Sequence, residues 1–163
     1  MTHYCPILAT LGFILSEDRK HTLLVHRNKR KNDEHFGKYN GLGGKLLPGE
    51  DIVSGIRREI LEEAGIHSVN INLRGTINWT NFGKNGEDWF GFIFRIDSFT
   101  GPPFKENKEG ILSWQPIEHL SQLPMWPGDR YFLPLVFDDH PGAFHGYMPY
   151  KNGLPLSWSY ERL

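Results

Sequence analysis

A single cysteine, Cys5, supplies all the thiol chemistry of this chain. One thiol cannot close an intramolecular disulfide, so a reducing compartment, the cytoplasm, is the expected setting. Cys5 itself reads as a small apolar residue or an inert free thiol. Membrane-length apolar runs are missing too. The stretch 6–15 is too short to cross a bilayer, and no basic region precedes it as in a secretory leader, so no membrane partner is expected. Excess charge of one sign is also lacking: 18 Lys and Arg stand against 19 Asp and Glu, with no long basic run. That balance argues against a stable nucleic-acid partner but leaves open a nucleotide-sized anion held by local charges. Repeats, low-complexity tracts and linkers are absent, so residues 1–163 are expected to form one domain, with a monomer the favoured state.

What is present is the material of a globular core: 39% hydrophobic residues against 23% charged. Five Trp and eleven Phe are many for 163 residues, and suit either aromatic-walled pockets or the core. Segments 7–15 and 22–26 read as a strand hairpin around the turn 16–20. Residues 27–35 are basic through Arg27, Lys29, Arg30 and Lys31, as either a solvated loop or a wall facing phosphates. Gly41, Gly43 and Gly44 mark tight backbone conformations, and Pro48-Gly49 a turn. A helix is expected over 51–64, with an acidic start and Gly65 as its stop. Strands follow at 71–79, 88–96 and 111–116, then a short helix at 117–123. A second helix over 129–138 contains Pro134, and a last strand pair lies within 144–158. Strands mixed with two or three helices define an α/β or α+β fold.

The first helix carries the chemistry. At about 100° per residue from Ile52, Ile56 falls near 40°, Ile60 near 80°, Val53 near 100° and Ala64 near 120°, which defines a core-facing stripe. Glu63 falls near 20°, inside the stripe; Glu59 lies at its edge near −20°, and Glu62 near −80°. Carboxylates crowded on a half-buried face repel and lose hydration, so something positive must offset them. Arg58 can pair with one acid, as in any acidic helix laced with Arg–Glu pairs. A divalent cation accounts for the rest, since Mg²⁺ takes carboxylate oxygens and shares its remaining positions with water and phosphate.

Gly44, then Glu50, Arg58-Glu59-Ile60, Glu62-Glu63 and Gly65-Ile66 match the Nudix box at all its specified positions and spacings. By this resemblance the chain is similar to Nudix hydrolases. The resemblance implies an α/β/α sandwich with a mixed central sheet and a loop–helix–loop catalytic motif. It implies cleavage of a nucleoside diphosphate linked to another moiety, with Mg²⁺ or Mn²⁺ as cofactor. It maps metal ligation to Glu59, Glu62 and Glu63, with a backbone carbonyl of Gly43 or Gly44 as a possible addition. Arg58 and Glu50 fall at orienting positions, and Lys45 near the phosphates. Glu109, before the strand at 111–116, matches a loop glutamate of related triphosphatases; it is a candidate general base or further metal ligand, or else a solvated residue of a Lys/Glu-rich loop.

Outside the box, 39–45, 125–127, 131–135 and 144–147 resemble the branch of the family that hydrolyses oxidised purine nucleoside triphosphates, both mammalian and MutT-type. The implied reaction is 8-oxo-dGTP plus water giving 8-oxo-dGMP and pyrophosphate. In that branch the counterpart of Asn40 reads the base edge, that of Trp126 stacks on the base and that of Asp129 hydrogen-bonds it. Read alone, Asn40 suits a turn, Trp126 a core and Asp129 a helix cap. Where the mammalian enzyme has two adjacent aspartates, this chain has Gly128 then Asp129. Trp79 and Asn81 stand near places where that relative uses Phe. Another nucleoside diphosphate derivative (a different dNTP, a sugar nucleotide, an RNA 5′ end) and a non-catalytic nucleotide-binding module are the alternatives.

Overall fold

The computed structural model describes residues 2–163. Ten strands, two α-helices and one 3₁₀ helix follow in chain order. The strands are β1 (Ile7–Leu15), β2 (His21–His26), β3 (Tyr39–Asn40), β4 (Leu42–Lys45), β5 (His67–Thr80), β6 (Trp89–Thr100), β7 (Ile111–Pro116), β8 (Phe144–Lys151), β9 (Leu154–Pro155) and β10 (Ser159–Arg162). Helix α1 (Ile52–Ala64) follows β4, and α2 (Asp129–Phe137) follows the 3₁₀ helix Ile117–Gln122. The sheet runs β10-β8-β5-β6-β1-β2-β3, with β4 on β1, β7 on β2 and β9 on β8. It is mixed: β1 with β6 and β5 with β8 are parallel pairs, the others antiparallel.

Both faces of the sheet are covered, which is why its central strands read as continuous apolar runs. Along β1, Ile14 packs towards α1 and Phe13 towards α2; along β2, Leu23 and Val25 take the α1 side and Leu24 the other. Two cores result, one under each helix, as the sandwich architecture requires.

Several boundaries moved. The first four residues of β5, from His67, escaped notice because residues 67–70 lie at a poorly buried end with bulges between Ser68 and Ile71, which break the alternation. The tail makes three strands rather than two. Asn152 (φ 52°) and Gly153 (φ 77°) turn β8 into β9, and β10 returns along β8 beyond the expected limit. The largest correction concerns Gly43 and Gly44, read only as tight backbone conformations, which lie in strand β4, with Gly41 linking it to β3. A Cβ on Gly43 would sit 2.1 Å from the Thr10 carbonyl oxygen, and one on Gly41 2.9 Å from that of Gly12. Their lack of side chains lets β4 lie close along Ala9–Gly12. At Gly12 strand β1 exchanges its β4 partner for β2, which it meets only at Ile14 and Leu15. The candidate site occupies this fork.

Helix α1 starts where Asp51 accepts the N–H groups of Val53 and Ser54, and stops at Gly65, whose left-handed conformation (φ 71°) directs its N–H to the Leu61 carbonyl. Gly55, Ile56, Ile60 and Ala64 form the buried stripe. Val53, placed in the stripe by its angle, is exposed: it lies in the first turn, beside a surface groove lined by Val69 and Leu73.

Candidate active site

Arg58 organises the acidic face of α1. Its Nε and one terminal nitrogen grip both oxygens of Glu50 (2.6 and 3.0 Å), and its other nitrogen reaches Glu59 (2.9 Å) and Glu62 (3.3 Å). It also donates to the Lys45 carbonyl (3.3 Å), tying the helix to β4. Opposite charges on three sides raise the Arg58 pKa further above its usual value, so the guanidinium is a fixed cation.

Glu63 is the least compensated of the acids. Its carboxylate accepts the Gly43 N–H at 3.0 Å. Burial, reinforced by the Glu109 and Glu59 carboxylates, pushes its pKa up to about 8. Burial likewise raises Glu59, although Arg58 opposes it. Gly44 is the neighbour that lets Glu59 lie against β4: a Cβ there would stand 2.6 Å from the carboxylate. Glu62, 60% exposed, points towards solvent. Among the described residues no three His, Cys, Asp or Glu side chains close up into a ready-made metal cage. The donor set nevertheless fits a hard divalent cation. Glu59, Glu63 and Glu109 offer oxygens to one region that is short of positive charge, and a cation that keeps several waters does not need a closed cage.

Glu109 arrives from the loop before β7. Asn107 shapes that loop, its side-chain oxygen accepting the N–H groups of Glu109 (2.8 Å) and Gly110 (3.1 Å) while its amide nitrogen donates to the Glu63 carbonyl (3.0 Å). Arg27 donates to Glu109 (2.9 Å) and also pairs with Asp33. The Arg27 guanidinium therefore lies in the cavity wall already matched by two carboxylates, and is less free to meet phosphate than the basic run suggested.

Two cavities meet at Gly43, Gly44 and Glu109. One, of about 560 Å³, is acidic and lined by Glu59, Glu62 and Glu63. The other, of about 340 Å³, is aromatic and reaches from Lys45 and Asn40 to Trp126 and Asp129. Every sequence-derived candidate lies on one of these walls except Arg58, which holds two of the wall carboxylates, and Glu50, which anchors Arg58 from behind. Asn40, rather than making a turn, sits on β3 with its amide nitrogen buried and unpartnered. Trp126 faces the cavity. Asp129 is the first residue of α2, one beyond the cap position. Phe82, unnoticed in the sequence, joins the aromatic walls, with its ring 4.9 to 6.4 Å from those of Trp79, Trp89, Trp126 and Tyr150. The clue was the preceding Asn81, a residue type that tolerates the left-handed conformation (φ 54°) in which the chain turns here. Trp89 and Tyr150 carry no signal apart from ordinary strand aromatics.

Burial pushes the Asp129 pKa up to about 7. A neutral carboxyl both donates and accepts, whereas the ionised form only accepts and resists being sealed under a ligand. Ionisation of Asp129 is disfavoured in the folded state, so this group opposes stability progressively as pH rises from about 4 to about 7. Asp129→Asn, neutral throughout, is therefore expected to melt several degrees above the wild type at pH 8, with the difference vanishing below about pH 4. A constant difference across that range, followed by thermal melting, would refute the assignment.

A half-buried carboxylate helix, an orienting arginine and a glycine strand, set beside an aromatic cleft on a mixed sheet between two helical layers, define a hydrolase of phosphoanhydride bonds. The NUDIX domain family model matches residues 6–136, and the chain belongs to the Nudix hydrolase family. It is 33% identical over 147 residues to an uncharacterised Nudix hydrolase, YvcI, of Bacillus subtilis, covering 88% of this chain and 87% of that one. It is 34% identical over 129 residues to the oxidized purine nucleoside triphosphate hydrolase of Mus musculus, covering 79% and 78%. The crystal structure of a MutT protein from Bacillus halodurans superposes with a TM-score of 0.81 at 26% identity, over 95% of this chain and 97% of that one. Nudix hydrolases generally use divalent metal ions. No helix among the described residues is long and apolar enough to cross a membrane.

Proposed function

We propose that this chain, as a single-domain monomer, is a Mg²⁺-dependent pyrophosphohydrolase of purine nucleoside triphosphates. Its preferred substrate is the oxidised nucleotide 8-oxo-dGTP, which it converts to 8-oxo-dGMP and pyrophosphate, cleansing the nucleotide pool. The observation that carries this reading is the presence of an unsatisfied Asn40 amide and of Asp129, whose pKa burial raises to about 7, in one aromatic cleft that opens onto the Glu59–Glu63 acids. Likeness to the mouse oxidized purine hydrolase supports it.

Glu59, Glu62, Glu63 and a carbonyl of Gly43 or Gly44 would hold the metal, which supplies phosphate-charge neutralisation and activation of water. The residues of the chain do the rest. Arg58 orients Glu59 and Glu62 through its guanidinium hydrogen bonds. Lys45, at the junction of cleft and acids, attracts the phosphate chain. Arg27 steadies Glu109, which takes the proton of the attacking water as the phosphoanhydride breaks and pyrophosphate leaves. Trp126 stacks on the base, while Asn40 and Asp129 read its edge with donors and acceptors.

The test is pyrophosphate release with Mg²⁺ from 8-oxo-dGTP and dGTP at low substrate, where the ratio reports kcat/KM. A strong preference for the oxidised nucleotide is expected. Comparable rates would move the substrate to another nucleoside diphosphate derivative. Asn40→Ala is expected to reduce the oxidised-to-ordinary ratio by about tenfold, the worth of a hydrogen bond to a buried group, with a smaller effect on dGTP itself. An unchanged ratio would remove Asn40 from base reading.

A further inference from the structure

Trp126 stands on an irregular segment between the 3₁₀ helix and α2, where nothing regular fixes its ring. Rotation of an indole about its Cβ–Cγ bond has broad minima, so packing alone sets its plane loosely. Here the indole N–H donates to Nδ1 of His35 at 2.8 Å. The two rings meet edge to face, 5.2 Å apart at 81°. A backbone bond from Tyr39 N–H to the Pro124 carbonyl (2.8 Å) ties the same two segments together. Because Nδ1 accepts, the imidazole is neutral with its proton on Nε2.

The surroundings keep it neutral. Burial and the Arg27 guanidinium push the His35 pKa down to about 4, with Lys38 adding to them and Asp33 opposing. Glu34 lies 3.9 Å from Nε2, and Asp129 faces His35 across the cavity. The His35 backbone N–H donates to Asp33 (3.1 Å), which holds Arg27. Replacing the imidazole leaves that backbone link to the Arg27–Glu109 pair in place.

We propose that His35 is a positioning residue for base recognition: it fixes the plane of Trp126 by accepting its indole N–H, and so governs nucleobase affinity more than the rate of bond cleavage. This rests on the reading of the aromatic cleft as the base pocket.

The experiment has a spectroscopic arm and a kinetic arm. In the nucleotide-free protein, the indole N–H signal absent from Trp126→Phe identifies Trp126 by ¹H–¹⁵N correlation. At pH 7 it is expected to exchange slowly with water, to exchange rapidly in His35→Leu, and to be protected again in His35→Gln, whose amide oxygen can accept. It should also shift with a midpoint below about pH 5, where imidazolium offers only donors. With 8-oxo-dGTP, His35→Leu is expected to raise KM about 5- to 10-fold, with most of the loss in KM rather than kcat, and His35→Gln to recover much of it. In a Trp126→Phe background, which has no indole N–H, His35→Leu should add nothing. Unchanged indole protection in His35→Leu, or a fully additive double variant, would overturn the proposal. A wild type that hydrolyses 8-oxo-dGTP while the His35 variants keep its KM would overturn this proposal alone. A wild type that releases no pyrophosphate from either purine nucleotide would overturn the functional reading and this one with it, even with the indole contact intact.

Discussion

Glu63→Gln is expected to lower turnover by about 10²- to 10⁴-fold and, in metal-free protein, to raise the melting temperature. Both effects come from one carboxylate. Glutamine keeps the shape and an oxygen to accept the Gly43 N–H, so the local fold survives. It lacks the negative charge that burial, Glu109 and Glu59 all oppose. A carboxyl whose folded pKa rises from 4.5 to about 8 makes the native state bind more protons than the unfolded one. The contribution of this carboxyl to stability is therefore fullest below about pH 4.5 and declines as pH rises towards 8, and the glutamine variant does not share that decline. A divalent cation reverses the balance by supplying the missing positive charge. Thermal melts at pH 8 with and without Mg²⁺ should show a large metal-induced stabilisation of the wild type and a small one of the variant. Near-wild-type turnover in Glu63→Gln would remove Glu63 from the metal site. Glu62→Gln is expected to lose turnover as well, with little change in metal-free stability, because its side chain already lies in solvent.

That asymmetry between Glu62 and Glu63 was legible from helical angles, since Glu63 falls inside the apolar arc and Glu62 well outside it. Angle alone failed at Val53, because a wheel knows direction but not where a helix overhangs its sheet. The orienting role of Arg58 was legible as well, though with one acid expected where the structure gives it three, Glu50, Glu59 and Glu62, all within a few helical turns and the loop before them. What lay beyond reach were contacts set by tertiary approach. The strand character of 42–45 depends on how closely β1 can lie, and nothing local records that distance. The pairing of Arg27 with Glu109 crosses 82 positions, and the Trp126–His35 bond crosses 91. Such partners belong to loops whose polarity reads as solvation. Phe82 was hidden for the opposite reason: an isolated aromatic after a turn carries no periodicity at all.

Arg74→Met is expected to destabilise the protein by about 3–5 kcal/mol, although Arg74 touches neither cavity. The cause is the end of α2. The last carbonyls of a helix lack intrahelical donors, and α2 has no basic residue in its last turn to serve them. The sheet supplies what the helix lacks. Arg74, on β5 with a side chain only 7% exposed, donates to the carbonyls of Leu135, Val136, Asp138 and His140 and to the Asp138 carboxylate at 2.7 Å. Arg95, on β6, joins it at Val136 and Asp138. Methionine fills part of the volume but removes the guanidinium from the Leu135 and His140 carbonyls and leaves the Asp138 carboxylate with Arg162 and the His140 backbone N–H. At this chain length the loss corresponds to a melting temperature lower by about 10 °C. Arg74→Lys should recover only a fraction, since an ammonium cannot span the same acceptors as the planar guanidinium. A change of less than about 2 °C in Arg74→Met would show that Arg95 and water suffice. Helix α2 begins at Asp129, so loosening its far end is also expected to raise KM for the nucleotide before the protein unfolds. That coupling would make Arg74 a structural determinant of base binding from the opposite end of the helix.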